Sequence, residues 1–312
     1  MRRILSDDPD EVMPPPEHNK ALTSTEIQRL QDWIAQGAKW SGHWAYEPLN
    51  SSVERTGNWI DKLVQAKLAS DGISASTKAK PHLLARRVFF DVVGLPPSKK
   101  QLDMFLNDTS QEAWANQVDR LLTSSHYGER MAIYWLDLVR YADTVGYHGD
   151  QDVSVSPYRD YVIDAFNANM PFAQFTREQL AGDLLAHPTQ SQLIASGYNK
   201  LGMMSAEGGA QPKEYLTKYA SDRVRTASTV WLGSTLGCAE CHNHKFDPFT
   251  QKDFYQFASF FADIKERGLY AGANQSGAWG PTVKVADAEL AGLLKDIDGR
   301  LAKMQETYET TD

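Results

Sequence analysis

Both cysteines of this 312-residue chain lie within five consecutive residues, Cys238-Ala239-Glu240-Cys241-His242. This C-x-x-C-H pattern is typical of the covalent attachment of c-type haem. Two thiols about one helical turn apart can each add to a vinyl group on one edge of the porphyrin, and the adjoining histidine can then bind the iron from one face. We therefore expect Cys238 and Cys241 to form the thioether bonds of haem c and His242 to be the axial iron ligand.

Two other chemistries fit the same motif, and chance occurrence of the pattern is a third alternative. A bare C-x-x-C can be a redox-active dithiol, although such motifs usually lie near a βαβ pattern and the segments that flank this one have helical periodicity. Zinc is the second alternative, because thiolates and imidazoles suit its tetrahedral coordination. A zinc site would use Cys238, Cys241 and two of His242, His244 or a distant ligand, whereas structural zinc ligands normally come as two separated pairs.

Composition and charge exclude several classes of partner. The net charge is −8, and the chain has no basic cluster or RNA-binding signature, so we expect no nucleic-acid partner. No apolar run approaches the length of a transmembrane segment. The N-terminal residues begin with two arginines but turn acidic at Asp7 and lack the apolar core of a signal peptide. Because haem c is normally attached outside the cytoplasm, we expect a periplasmic or secreted protein whose signal peptide was lost by truncation.

Apolar residues recur at helical spacing along most of the chain, and no stretch shows convincing two-residue alternation. The clearest stripes are Ile60, Leu63, Val64 and Leu68, and then Tyr158, Tyr161, Val162, Ala165 and Phe166. A helix predicted after the motif carries four phenylalanines that we expect to be chiefly core residues: Phe254, Phe257, Phe260 and Phe261. The sequence therefore predicts a mainly α fold, an irregular multi-helix domain with long loops and little or no sheet around the attachment turn.

The sixth ligand of the iron would have to come from elsewhere in the chain. Met203 and Met204 lie in a predicted loop, and His148 lies in a polar loop at 143–152. All three are candidates, and methionine ligation would raise the reduction potential. Core packing is the alternative for both methionines. The carboxylates of the 143–152 loop also suggest calcium, although their spacing is not that of an EF-hand.

Several polar residues could accompany a haem. Arg223, Arg225 and Lys245 are candidates to neutralise the propionates, with ordinary surface positions as the alternative. His244 lies too close to His242 in sequence to reach the opposite face of the porphyrin. It could bind a propionate, or it could be an ordinary surface residue.

Longer stretches of the chain resemble one known family. They are HYGER at 126–130, WLDLVRYAD at 135–143, YRDYVIDAFN at 158–167, EQLAGD at 178–183 and LGCAECHNHKFDP at 236–248. Over about 42–263 the chain resembles the planctomycete cytochrome C-like proteins, which are large secreted multidomain proteins. It departs from their pattern at His148, where an acidic residue is expected, and at Asn243, where aspartate is usual. Neither departure affects Cys238, Cys241 or His242.

The resemblance also implies how the chain is divided. Met13-Pro14-Pro15 and the helix after it are similar to the end of the family's first cytochrome-like domain, so Met13 is a candidate orphaned ligand. We predict a truncated cytochrome c-like tail at 1–41, an uncharacterised helical domain with the C-x-x-C-H motif at 42–265, and a linker with the start of an amphipathic helix at 266–312, leading to a missing domain.

The function expected from these features is electron transfer within a larger oxidoreductase system. The partner would be a redox protein or the upstream cytochrome domain of the same polypeptide. One alternative is a haem-dependent oxidoreductase acting on peroxide or carbohydrate, with His148 or Glu207 handling protons. The other is a zinc-stabilised binding module. The family supplies no settled reaction, so the sequence assigns no catalytic residue.

Overall fold

The structure is a computed structural model that describes residues 1–18, 20–39, 42–48, 57–147, 149–270, 282–285 and 288–309. Helices dominate it, which confirms the predicted mainly α fold. Within these ranges there is no β-strand, and only two isolated bridges occur, Thr144 with Asp152 and Gly146 with Met204. The chain divides into two compact units, Met1–Ser76 and Thr77–Asp312.

In its described residues, the first unit contains two α-helices, α1 at Ser24–Ala35 and α2 at Trp59–Ser70. A capping box begins α1, because Thr23 accepts from the Glu26 backbone N–H and the Glu26 carboxylate accepts from the backbone N–H of Thr23. The predicted apolar stripe of α2 does form on a helix, but Ile60, Leu63 and Val64 remain exposed and only Leu68 is half-buried.

The second unit carries the remaining α-helices of the described chain. They are α3 at Pro81–Val93, α4 at Lys99–Asn107, α5 at Gln111–Leu122, α6 at Ser125–Leu138, α7 at Ser156–Asn167, α8 at Phe172–Ala181, α9 at Gln190–Ala195, α10 at Pro212–Leu232, α11 at Gln251–Ser259 and α12 at Ala288–Glu309. The predicted linker falls largely at 271–281, outside the described residues.

The core of the second unit forms where α6 packs on α7. Gly128 permits this approach, because a Cβ at this position would lie 2.4 Å from the Ile163 carbonyl oxygen. Gln179 is fully buried beside this contact. Its side-chain oxygen accepts from Trp135 Nε1 at 2.9 Å and from the Tyr158 hydroxyl at 2.5 Å. A buried amide of this kind is tolerated because both neighbours are donors that also need a partner.

Helix α10 positions the C-x-x-C-H motif. It ends at Gly233, whose φ of 59° gives the left-handed C-cap that glycine adopts without strain. The chain then folds back in a 3₁₀ turn, Leu236–Glu240, and packs between α10 and α11. Val224 and Phe254 of those helices are buried against Leu236 and Ala239 of the turn. The motif therefore rests on a small apolar cluster of its own.

The phenylalanines of α11 and its C-terminal end divide between core and surface. Phe254 and Phe261 are buried, as predicted. The prediction was wrong for Phe260, which is 82% exposed. Phe260 is the C-cap of α11, where the helix has already ended and no neighbouring element covers the ring among the described contacts.

Candidate functional site

The five residues of the motif form one tight turn that presents its reactive groups to solvent. The backbone N–H groups of Cys241 and His242 both donate to the carbonyl oxygen of Cys238, at 3.4 Å each. Both thiols are free and exposed, and His242 is exposed as well. Ala239, between the cysteines, is fully buried. The spacer thus anchors the turn while the two sulfurs and the imidazole stay accessible.

The side chain of Glu240 ties this turn to α10. Ser221 Oγ donates to Glu240 Oε1 at 2.8 Å, and the Arg225 guanidinium forms an ion pair with the other carboxylate oxygen. Ser221 is buried, whereas the side chain of Arg225 is 55% exposed. Hydrogen bonds to an ionised group are stronger than neutral ones. The carboxylate therefore fixes the turn to the middle of the long helix.

The backbone carbonyl of Glu240 ties the same turn to α11. It accepts hydrogen bonds from Gln251 Nε2 and from the Tyr255 hydroxyl, both at 3.1 Å. The backbone N–H of Gln251, the first residue of α11, donates to Asn243 Oδ1 at 2.9 Å. The segment that carries the cysteines is consequently held on both sides.

The orientation of His242 follows from a contact with the next residue. Its Nδ1 lies 2.8 Å from the carbonyl oxygen of Asn243. Because a carbonyl can only accept, Nδ1 carries the proton in this contact and the lone pair is left on Nε2. Metal-binding histidines almost always make such a second hydrogen bond, which fixes the tautomer and the ring orientation. His242 therefore has the tautomer that a metal ligand through Nε2 requires.

The side chain of His244 forms hydrogen bonds with the loop that follows it and is largely shielded from solvent. Its side chain is 10% exposed, and its Nδ1 accepts from the backbone N–H groups of Asp247 at 2.8 Å and Phe246 at 3.3 Å. Its own backbone N–H donates to the carbonyl of Phe249 at 2.8 Å. The expectation that His244 is a surface residue is thus corrected, because the turn at 244–249 needs an internal acceptor.

The candidate sixth ligands lie elsewhere. Met204 is buried against Val145 and Tyr219, while Met203 is exposed. Successive helical residues are rotated by about 100°, so the side chains of Tyr219 and Ser221 leave α10 in directions about 160° apart. Since Ser221 binds Glu240, the described contacts place Met204 on the opposite side of α10 from the turn. His148 lies outside the described residues.

A zinc or calcium site would require several ligand side chains close together. Within the described ranges, no group of three or more His, Cys, Asp or Glu residues could hold a metal ion. This applies to the zinc hypothesis at Cys238 and Cys241 and to the calcium hypothesis for the 143–152 loop. In that loop Asp143 accepts from the Tyr141 hydroxyl at 2.7 Å. Burial, together with this hydrogen bond, raises the pKa of Tyr141 to about 12.

Arg223 was predicted to neutralise propionates or to lie at the surface, and both interpretations are wrong. It is buried, its Nη1 donates to Glu266 Oε1 at 2.8 Å, and its Nε donates to the Asn199 carbonyl at 2.8 Å. The sequence analysis also missed Glu240 and Asn243 as the residues that fix the turn. The position of Glu240 between the two cysteines was the only sequence signal for its role.

Fold and site together define a mainly α-helical protein that presents an exposed Cys-x-x-Cys-His turn. Residues 59–266 match the family model PSCyt2, described as a protein of unknown function (DUF1549), and the chain belongs to that family. This agrees with the resemblance noted in the sequence. No curated protein and no solved structure gives a significant match. Among the described helices, none is both long and apolar enough to cross a membrane.

Proposed function

We propose that the chain carries a c-type haem bound covalently through Cys238 and Cys241, with His242 as the axial ligand, and that it transfers electrons within a larger oxidoreductase system. The observation that carries the proposal is the hydrogen bond from His242 Nδ1 to the Asn243 carbonyl, beside two free and exposed thiols. A histidine-bound haem supplies a one-electron centre whose potential depends on the other ligand and the surroundings.

The protein's own residues meet what such a site needs. Glu240 holds the turn to both neighbouring helices, so the spacing of the thiols depends on more than the local backbone. The imidazole is oriented before any ligand binds, because its Nδ1 proton already has an acceptor. The donor set therefore fits haem c.

The surface around the turn is also suited to an apolar ring. Phe246, four residues after His242, is 77% exposed, and Tyr255, whose hydroxyl contacts Glu240, is 55% exposed. Both side chains belong to segments that flank the turn, and both are accessible to solvent. A porphyrin attached to Cys238 and Cys241 would cover part of this surface.

The remaining parts of the proposal rest on this chemistry. Because haem c is attached outside the cytoplasm, the protein would act in the periplasm or after secretion. Its electron partner would be another redox protein or a cytochrome domain of the same polypeptide. The exposure of the turn supports this, since electron transfer needs close approach of a partner.

The test is expression of the chain in a host with haem c maturation machinery. After acid–acetone extraction, the protein is expected to keep its colour, to give the pyridine haemochrome spectrum of haem c, and to gain the mass of one haem. The double variant Cys238→Ser/Cys241→Ser should lose all three signals, whereas the matched surface variant Lys252→Gln should keep them. A colourless wild-type protein of unmodified mass would overturn the proposal. With colour retained, a spectral change on adding cyanide or peroxide would indicate an open iron position.

A further inference from the structure

Asn243, the residue after the histidine of the motif, is attached to the rest of the protein at two points. Its side-chain oxygen accepts from the backbone N–H of Gln251 at 2.9 Å. The peptide unit that links Asn243 to His244 is held separately, because the backbone N–H of His244 donates to the carbonyl oxygen of Phe249 at 2.8 Å. A single hydrogen bond would let this segment swing about one point, whereas the two attachments together fix it.

These two attachments determine the direction of the Asn243 carbonyl. A peptide unit is planar and trans, so its carbonyl and its N–H point in opposite directions. Because the N–H of His244 is directed at Phe249, the carbonyl of Asn243 points the other way. There it lies 2.8 Å from Nδ1 of His242. The acceptor that orients the imidazole is therefore held by contacts that do not involve His242 itself.

The side chain of Asn243 makes its contact at the start of α11. Gln251 is the first residue of that helix, and the first N–H groups of a helix have no acceptor within it. Asn243 supplies the acceptor for Gln251, whereas Thr250 Oγ1 accepts from the backbone N–H of Asp253 at 3.2 Å. The two caps serve different N–H groups. Removing one of them therefore weakens the start of α11 without removing the other.

We propose that Asn243 is a positioning residue that sets the reduction potential of the site through His242. Its side chain holds the carbonyl that accepts the Nδ1 proton, and a firm acceptor there makes the imidazole a better electron donor to the iron and stabilises the oxidised state. Loss of the side chain should therefore raise the potential. A carboxylate in its place should lower the potential, because it keeps the contact and adds a negative charge. The inference rests on the function proposed for Cys238, Cys241 and His242.

The first measurement uses the whole chain without haem, labelled with ¹⁵N. At a pH of about 8.5, where an ordinary imidazole is neutral, the shifts of the two ring nitrogens of His242 report its tautomer, and His242→Gln assigns these signals. Wild type and Asn243→Asp should carry the proton on Nδ1. Asn243→Ala should move it at least partly to Nε2, because the carbonyl is no longer held in place. Asn243 is exposed, so both replacements leave the core intact.

The second measurement is a redox titration of the haem-loaded chain. At the midpoint potential of the wild type, the ratio of reduced to oxidised protein should rise about threefold in Asn243→Ala and fall about threefold in Asn243→Asp, each a part of what one hydrogen bond contributes. Opposite shifts are the signature of an effect on the iron ligand. A purely structural role would lower the stability of the alanine variant and leave the ratio unchanged.

The matched control is Thr250→Ala, which removes the other cap of α11 and leaves the contact of Asn243 with Gln251 in place. It should lose stability but keep the tautomer and the ratio of the wild type. The inference is overturned if Asn243→Ala keeps the Nδ1 proton, or if Thr250→Ala shifts the ratio as much as Asn243→Ala does. Failure of the wild type to attach haem would overturn the function proposed for the turn, and the tautomer comparison would still decide whether Asn243 positions His242.

Discussion

Ser221 Oγ donates a 2.8 Å hydrogen bond to Glu240 Oε1, and this bond joins the middle of α10 to the residue between the two cysteines. Ser221 is buried, so it depends on this acceptor, whereas the partner of the other carboxylate oxygen, Arg225, is largely exposed. The relationship explains how a turn with exposed sulfurs remains fixed. Replacement of Glu240 would therefore weaken the attachment of the turn to α10 and leave its cysteines and histidine in the sequence.

Glu240→Ala should lower the free energy of unfolding by about 1–2 kcal/mol, because it leaves the buried Ser221 without a partner and removes the ion pair with Arg225. Glu240→Gln is the matched control, since an amide oxygen still accepts from Ser221, and it should lose about half as much. Urea unfolding of the three proteins measures the difference. Equal losses for Ala and Gln would show that the contact with Ser221 contributes nothing.

The sixth-ligand candidates yield a second prediction. Because Met204 lies on the opposite side of α10 from the turn, Met204→Leu in haem-loaded protein should leave the visible spectrum unchanged. It should cost less than about 1.5 kcal/mol in stability, as volume-conserving core replacements usually do. Met203→Leu, at an exposed position, should change neither property. Loss of the low-spin spectrum in either variant would contradict this and would assign the ligand.

Local patterns predicted the helices well. The capping pairs Thr23 with Glu26 and Thr250 with Asp253 begin α1 and α11, and such caps can be read from a sequence because they depend only on residues three apart. The turn at Cys238–His242 is equally local. The ion pair of Arg223 with Glu266 was not predicted, since its partners are 43 residues apart and no local pattern marks them.

The difference between local and distant contacts also explains the wrong prediction for Phe260 and the residues that the sequence could not assign. The exposure of Phe260 depends on which elements happen to cover the end of α11, and helical spacing cannot supply that information. The acceptor that orients His242 is the backbone carbonyl of Asn243. Every residue has such a group, so the sequence contains no signal for it.

A buried carboxylate makes the stability depend on pH. Glu178 accepts from the Tyr161 hydroxyl at 2.9 Å, from Gln174 Nε2 at 3.0 Å and from Gln192 Nε2 at 3.1 Å. Burial raises its pKa, but the three hydrogen bonds together outweigh burial and hold the pKa below the ordinary 4.5. A lowered pKa in the folded state means that the charged form stabilises the fold. This contribution is complete above the ordinary pKa and is lost as the pH falls through the folded value.

Glu178→Gln should therefore destabilise the protein most near neutral pH, and the difference from wild type should shrink as the pH falls below about 4. Chemical unfolding of both proteins at a series of pH values measures this. A difference that widened on acidification would mean that the pKa of this carboxyl group is raised, not lowered, in the folded protein.

The ion pair between Arg223 and Glu266 leads to the largest expected effect. The two side chains are only 6% and 9% exposed. Arg223→Met should cost about 3–5 kcal/mol, because it leaves the Glu266 carboxylate buried without its partner. The double variant Arg223→Met/Glu266→Leu should recover at least half of that loss, since no charge then stays unpaired, although the Asn199 carbonyl still lacks its donor. A double-mutant cycle by urea unfolding measures the coupling.

For comparison, Lys99→Met removes an exposed pair, with 89% of the lysine side chain accessible, and should have little effect. A single Arg223 variant no less stable than Lys99→Met would show that the buried pair is not needed for the fold.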